Sequence, residues 1–154
     1  MISFEGILME TIILCIGNIE GGDDGIGPYI AERLKVKSSQ HMVLDCGTIP
    51  ENYTGIIKQH KPDTLILIDA AEMSLPPGEI RLIPREKLGT MHLSTHGIPL
   101  SILIQYLEKE LPRILFIGIQ PKTMHGPLSS VVKKSGNHLI DILRKKQYDQ
   151  IPVL

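Results

Sequence analysis

A chain of 154 residues with 42% hydrophobic content has the size and apolar fraction of one compact domain with its own core. Its 16 basic and 17 acidic residues leave a net charge of −1, so no global field draws in nucleic acid or an anionic membrane surface. Four Tyr, two Phe and no Trp offer no stacking platform for single strands, and no apolar run approaches the ~20 residues of a membrane span.

Residues 1–9 read as an N-terminal extension. They contain Glu5 but no basic residue, which argues against the charged start of a signal peptide, and Met9 offers an alternative start. Thr11 to Ile16 is a short apolar, β-branched run and reads as the first strand. It enters the glycine-rich loop Gly17-Asn18-Ile19-Glu20-Gly21-Gly22-Asp23-Asp24-Gly25-Ile26-Gly27, and Pro28 then opens a helix expected over about Ile26 to Val36. A strand-loop-helix unit is where α/β proteins place binding sites. The glycines miss the G-x-G-x-x-G spacing of a dinucleotide loop, and two adjacent carboxylates would repel a pyrophosphate. Such a loop suits a cation or a peptide. Its plain structural alternative is that Asp24 caps the helix while the glycines turn the chain.

Met42-Val43-Leu44 reads as a second strand ending at Asp45-Cys46-Gly47-Thr48, followed by a helix over Glu51 to Gln59 with Ile56 and Ile57 inward. Leu65-Ile66-Leu67-Ile68 is the continuous apolar run of a strand buried on both faces, and it ends at Asp69. Pro76-Pro77-Gly78 breaks the chain, and Glu79 to Ile83 alternates like a half-exposed edge strand. After a polar segment, Ser94 or Thr95 would cap a helix over about Pro99 to Leu111, with Ile98, Ile102 and Tyr106 among its apolar positions. Arg113 to Ile119 is the next core strand, and Leu128 to about Lys145 the last helix, with basic residues near its end.

This βαβαβ order favours parallel pairing with right-handed crossovers. The expected fold is α/β: a single-domain three-layer sandwich, its mostly parallel twisted sheet of about five strands having one antiparallel edge strand and helices on its faces. Residues 10–147 form the domain and 148–154 a C-terminal tail. In a parallel sheet the loops after the strands gather at one end, so Asp24, Asp45 and Asp69 should share a rim that His96 can reach. Two aspartates and a histidine make a hard-to-borderline donor set for zinc, nickel, manganese or iron. Each residue also has an ordinary role: Asp45 can bond amides around Gly47, Asp69 can cap the turn before Pro76, and His96 can sit at a helix start.

Cys15 and Cys46 do not form a C-x-x-C pair and read as buried free thiols of a reducing cytosol. Neither has a base partner, and no Gly-x-Ser-x-Gly elbow occurs. His125 follows the fifth strand and reads as a surface residue overlooking the rim; His41, His60, His92 and His138 carry weaker signals.

Five ordered blocks carry a resemblance. They are Ile16-Gly17-Asn18 with Asp23 to Gly27, Leu44 to Thr48, Ile68-Asp69-Ala70-Ala71, Ser94-Thr95-His96-Gly97, and Phe116 to Pro121. The set resembles the nickel-iron hydrogenase maturation endopeptidases, and Thr95 to Pro99 with Gly118 to Pro121 resembles the branch serving formate-linked hydrogenases. The resemblance implies a cytoplasmic endopeptidase that removes a C-terminal extension from the nickel-loaded hydrogenase large-subunit precursor. It implies Asp24, Asp69 and His96 as the metal-contacting, catalytic set, with Asp45 as a further acid in cleavage. Nickel would arrive with the precursor rather than stay bound, and peptide hydrolysis would be aspartic-type or metal-assisted. Cys46 stands where many relatives have Gly. Two other classes remain open: a non-enzymatic metal-binding or precursor-holding module on the same fold, and a metal-dependent hydrolase of a small molecule.

Overall fold

The computed structural model describes residues 10–34, 41–91, 93 and 98–154. Five strands form one sheet: β1 (Thr11–Ile16), β2 (His41–Gly47), β3 (Thr64–Ala70), β4 (Ile80–Leu82) and β5 (Arg113–Ile119), in the spatial order β2-β1-β3-β5-β4. All pairs are parallel except β4 with β5. The expected three-layer α/β sandwich with one antiparallel edge strand is what the chain adopts.

Alternation along the strands builds a core on each face. On one face Ile12, Leu14, Leu65 and Leu67 pack with Ile57 of α2 (Thr54–His60) and with Leu103, Ile104 and Leu107 of α3 (Leu100–Leu107). On the other, Ile13, Cys15, Ile66 and Ile68 pack with Ile30 of α1 (Ile26–Leu34) and with Val132 and Leu139 of α4 (Ser130–Arg144). Full burial of such side chains contributes about 1.5–3 kcal/mol each. The central strands are therefore apolar at nearly every position.

Several boundaries move, each for a physical reason. The expected helix from Glu51 begins as a 3-10 turn, Pro50–Tyr53, before α2. The helix expected to run to Leu111 ends at Leu107 and gives way to turns, in which Leu111 N still donates to Leu107 O at 3.2 Å before Pro112 ends any helical continuation. The structure selects which of its apolar positions face inward. Leu100, Leu103, Ile104 and Leu107 are buried at i, i+3, i+4 and i+7, while Ile98, Ile102 and Tyr106 turn outward. A helix this apolar all round leaves its inward face undetermined by period alone. The expected caps Ser94 and Thr95 lie outside the described residues, and Pro99 occupies the cap position. Strand β3 continues through Asp69, which pairs with Gly118, so Asp69 belongs to the strand rather than to the turn before Pro76.

Residues 148–154 pack onto the domain. Tyr148 and Ile151 are buried, and the backbone of Leu82 in β4 donates to Pro152 O (2.8 Å) and accepts from Leu154 N (2.9 Å).

Candidate functional site

Strand order places a crevice at one end of the sheet. From β1 the chain passes to β2 on one side, and β3 then pairs on the other side of β1, so the connections leave the carboxyl ends of β1 and β3 in opposite directions. Ligands of open α/β sheets bind at such a point. The loop after β1 and the end of β3 meet there, since the 3-10 turn Gly22–Gly25 rests against β3.

Gly17 starts that loop with φ +151°, and a Cβ there would lie 1.9 Å from Asp24 O. No other residue allows the loop to fold back so closely. Asn18 N then donates to Asp24 Oδ2 at 2.9 Å. Asp24 is 5% exposed and Asp69 0%, so both carboxylates are withdrawn from water. By strand alternation Asp69 lies on the same sheet face as Leu65 and Leu67, the face covered by α2 and α3. The structural alternative for Asp24, a capping bond to the helix amides, is not the bond it makes to Asn18 N.

The two adjacent acids of the loop have separate jobs. Asp23 is fully buried and accepts four hydrogen bonds: Lys122 N (2.8 Å), Thr123 N (3.0 Å), Ser129 N (2.7 Å) and Ser129 Oγ (2.8 Å). Its own amide donates to Thr123 O at 2.8 Å. Burial pushes its carboxyl up, but the donors from Ser129, Thr123 and Lys122 outweigh this and hold it below the ordinary 3.8. Ser129 is the residue before α4, so this carboxylate also meets the positive end of that helix. The loop after β1 is thereby bolted to the loop after β5. Gly22 is needed for the fit, because a Cβ there would approach His125 N to 2.6 Å.

Asp45 sits at the end of β2, where a register shift separates Cys15↔Asp45 from Ile16↔Gly47. Its Oδ1 accepts from Gly47 N at 3.2 Å, as the plain reading expects, yet the residue is exposed. It lines a groove of about 390 Å³ with Gly17, Asn18, Ile19, Pro28 and Thr48. His96 lies outside the described residues. Leu93, three positions before it, bridges to Ala71, two positions after Asp69. Among the described residues no group of three His, Cys, Asp or Glu side chains is disposed to hold a metal ion. His125 is exposed on the loop that covers the 3-10 turn.

Both cysteines are free and buried. Burial, helped by the Asp45 carboxylate, pushes the Cys46 thiol up to about 12, and burial pushes Cys15 up further still. Neither is a thiolate at neutral pH.

Gln120 and Glu72 were not among the expected site residues. Gln120 is 3% exposed; its Oε1 accepts from Met73 N (2.7 Å) and Leu75 N (3.3 Å), and its Nε2 donates to Glu72 Oε2 (2.9 Å). It clamps the segment leaving β3 to the end of β5, which fixes the backbone just past Asp69. The one sequence signal was a polar residue ending an apolar strand.

Comparison with known proteins agrees with this architecture. A family model described as HycI, hydrogenase maturation protease, matches residues 28–146. The hydrogenase 3 maturation protease of Escherichia coli (strain K12) is 36% identical over 129 residues, spanning 81% of this chain and 83% of that protein. A putative hydrogenase maturation protease of Methanocaldococcus jannaschii is 34% identical over 145 residues, spanning 87% and 86%. The crystal structure of a [NiFe] hydrogenase maturation protease HycI from Thermococcus kodakarensis KOD1 superimposes with a TM-score of 0.80 at 33% identity, covering 92% of this chain and 96% of that one. With its family model matched over most of the domain and its fold shared with a solved member, the chain belongs to the hydrogenase maturation protease family.

Proposed function

We propose that this protein is the endopeptidase that removes the C-terminal extension of a nickel-loaded hydrogenase large-subunit precursor, acting in the cytoplasm. The observation that supports the reading is the burial of two acids, Asp24 in the 3-10 turn that rests against β3 and Asp69 in β3 itself, in a chain whose family cleaves proteins. A cation brought among carboxylates already withdrawn from water gains more than it would at a solvated surface. With His96, near in sequence to the Leu93–Ala71 bridge, the two acids would make up the three-donor set with open positions that the resemblance implies. Nickel already held by the precursor would complete its coordination there, so metal loading becomes the signal for cleavage.

Hydrolysis needs a polarised carbonyl and a water that loses a proton. Nickel held by Asp24, Asp69 and His96 would supply Lewis acidity. Asp45 is the acid suited to take the proton, because it is exposed in the groove beside the rim whereas Asp24 and Asp69 are buried. Among the described residues no helix is long and apolar enough to cross a membrane, which fits a substrate processed in the cytoplasm.

The test is a mobility assay on purified precursor, with and without nickel. The expected result is nickel-dependent release of a C-terminal peptide, abolished in Asp24→Ala, Asp69→Ala and His96→Ala. Cleavage of nickel-free precursor would remove the metal-sensing role, full cleavage by all three variants would overturn the site, and binding without release would mark a holding module.

A further inference from the structure

Six of the eight large apolar side chains that the described residues expose belong to one end of the molecule and the helix leading from it. Ile19 (76% exposed) follows β1, Ile49 follows β2, Met124 follows β5, Ile98 precedes α3, and Ile102 and Tyr106 lie on it. Two grooves organise most of them. The first, beside Asp45, ends at Thr48; the second, of about 270 Å³, lies between the Pro50–Tyr53 turn with α2 and the outer face of α3, and is lined by Glu51, Thr54, Ile98, Ile102, Leu103 and Tyr106. Only Ile49 and Pro50 separate Thr48 from Glu51, so the two grooves are neighbours along one track of chain that leads from the Asp45 side to the α2–α3 side.

A second feature points to an occupant. Glu51 Oε1 is a buried carboxylate oxygen that receives no hydrogen bond among the described residues. An unmatched buried acceptor is costly and is relieved by a donor delivered from outside. The farther end of the groove is already supplied, since Lys58 bonds the Tyr106 hydroxyl and lies over its ring. What the track lacks is apolar surface to cover Ile98 and Ile102, and one donor for Glu51.

We infer that the groove between the Pro50–Tyr53 turn and α3 is the docking site for a short extended segment of the polypeptide substrate, one carrying an apolar side chain with a hydrogen-bond donor beside it. The inference rests on the reading of the chain as a precursor-cleaving protease, and its support is the unmatched Glu51 acceptor together with the nearness of the groove, two residues along the chain, to the one that Asp45 lines. Apolar contact supplies affinity and Glu51 supplies register. A substrate held there is anchored away from the bond being cut, so the groove governs binding rather than the chemical step.

The experiment measures precursor binding by titration into the cleavage-silent Asp24→Ala protein, and cleavage kinetics in the otherwise intact protein. Ile102→Glu is expected to weaken binding and raise KM by roughly tenfold or more with kcat little changed, as loss of a central anchor does. Glu51→Gln should raise KM by a smaller factor, and Val153→Glu, exposed at the other edge, should alter neither. Ile102→Thr, which adds no charge, covers the case in which Ile102→Glu does not fold, and should raise KM in the same sense. Unchanged KM and binding in the Ile102 variants, while the parent cleaves, would overturn the groove alone. Ile102-dependent binding without cleavage by the parent would overturn the protease reading alone, and neither binding nor cleavage would overturn both. Self-association abolished by Ile102→Glu with precursor binding intact would assign the groove to a second copy and overturn the inference.

Discussion

The β4 edge and the rim at the carboxyl ends of β1 and β3 handle exposed sheet in opposite ways. At β4 the chain's last residues finish the structure: Leu82 exchanges backbone bonds with Pro152 and Leu154, Ile151 is buried, and Arg113 pairs with Asp149 at 2.8 Å. At the rim, two carboxylates are buried while Ile19, Ile49, Ile98 and Met124 stay exposed. An edge left open invites association, and a closed one prevents it. Burying acids and exposing apolar side chains is the reverse of what stability favours by itself, which is the contrast that the proposed substrate site would account for.

The strongest way to break this contrast is to remove an acid. Asp24→Ala or Asp69→Ala should lower the cleavage rate by about 10³-fold or more, while the unfolding midpoint falls by less than it does for Asp23→Ala, since Asp24 accepts from Asn18 N where Asp23 accepts four hydrogen bonds. Calorimetry paired with the precursor assay checks both, and a falling midpoint with retained cleavage would make these acids structural.

Asp23 should behave as the opposite case. Asp23→Ala leaves Ser129, Thr123 and Lys122 donors unmatched and should cost about 3–5 kcal/mol of stability in denaturant unfolding. Because its folded carboxyl lies below the ordinary 3.8, its stabilisation is complete above that value and is lost as pH falls through the lower folded value. The gap between parent and variant should therefore shrink only below pH 3.8. A gap that closes at higher pH would contradict the hydrogen-bond network.

At the β4 edge, Ile151→Ala should cost about 2–3 kcal/mol by leaving a cavity, with kcat and KM of the folded protein unchanged. A changed KM would show that this edge communicates with the rim. The smallest effect is expected at Cys46: Cys46→Ala should leave the cleavage rate within about twofold, and the parent thiol should resist alkylation at pH 8, its value lying at about 12. Rapid alkylation without unfolding would contradict its burial.

Legibility in the sequence followed the range of the forces involved. Arg113 to Ile119 and the Leu65 to Ile68 run were plain as strands, because burial on both faces demands near-continuous apolar residues. Ile98, Ile102 and Tyr106 are among the apolar positions visible in the sequence, but that they face outward is not, because α3 and the residues before it offer more apolar positions than the core face needs. The double acid was visible, but not the way Asp23 is held: it reaches donors about a hundred positions away. Gln120 was hidden for the same reason, since its partners at Glu72, Met73 and Leu75 adjoin it only after β3 and β5 pair.

By itself, the order of elements and the placement of acids after strands determined the layered α/β fold and the end of the sheet where Asp24, Asp45 and Asp69 belong, because periodicity and crossover handedness are local rules. Tertiary structure decided which acid of the pair is consumed by the scaffold, which of the rim acids remains exposed, and which face of α3 is left uncovered. Those outcomes depend on what each side chain meets across the fold, and neighbours in space are set by packing rather than by neighbours in sequence.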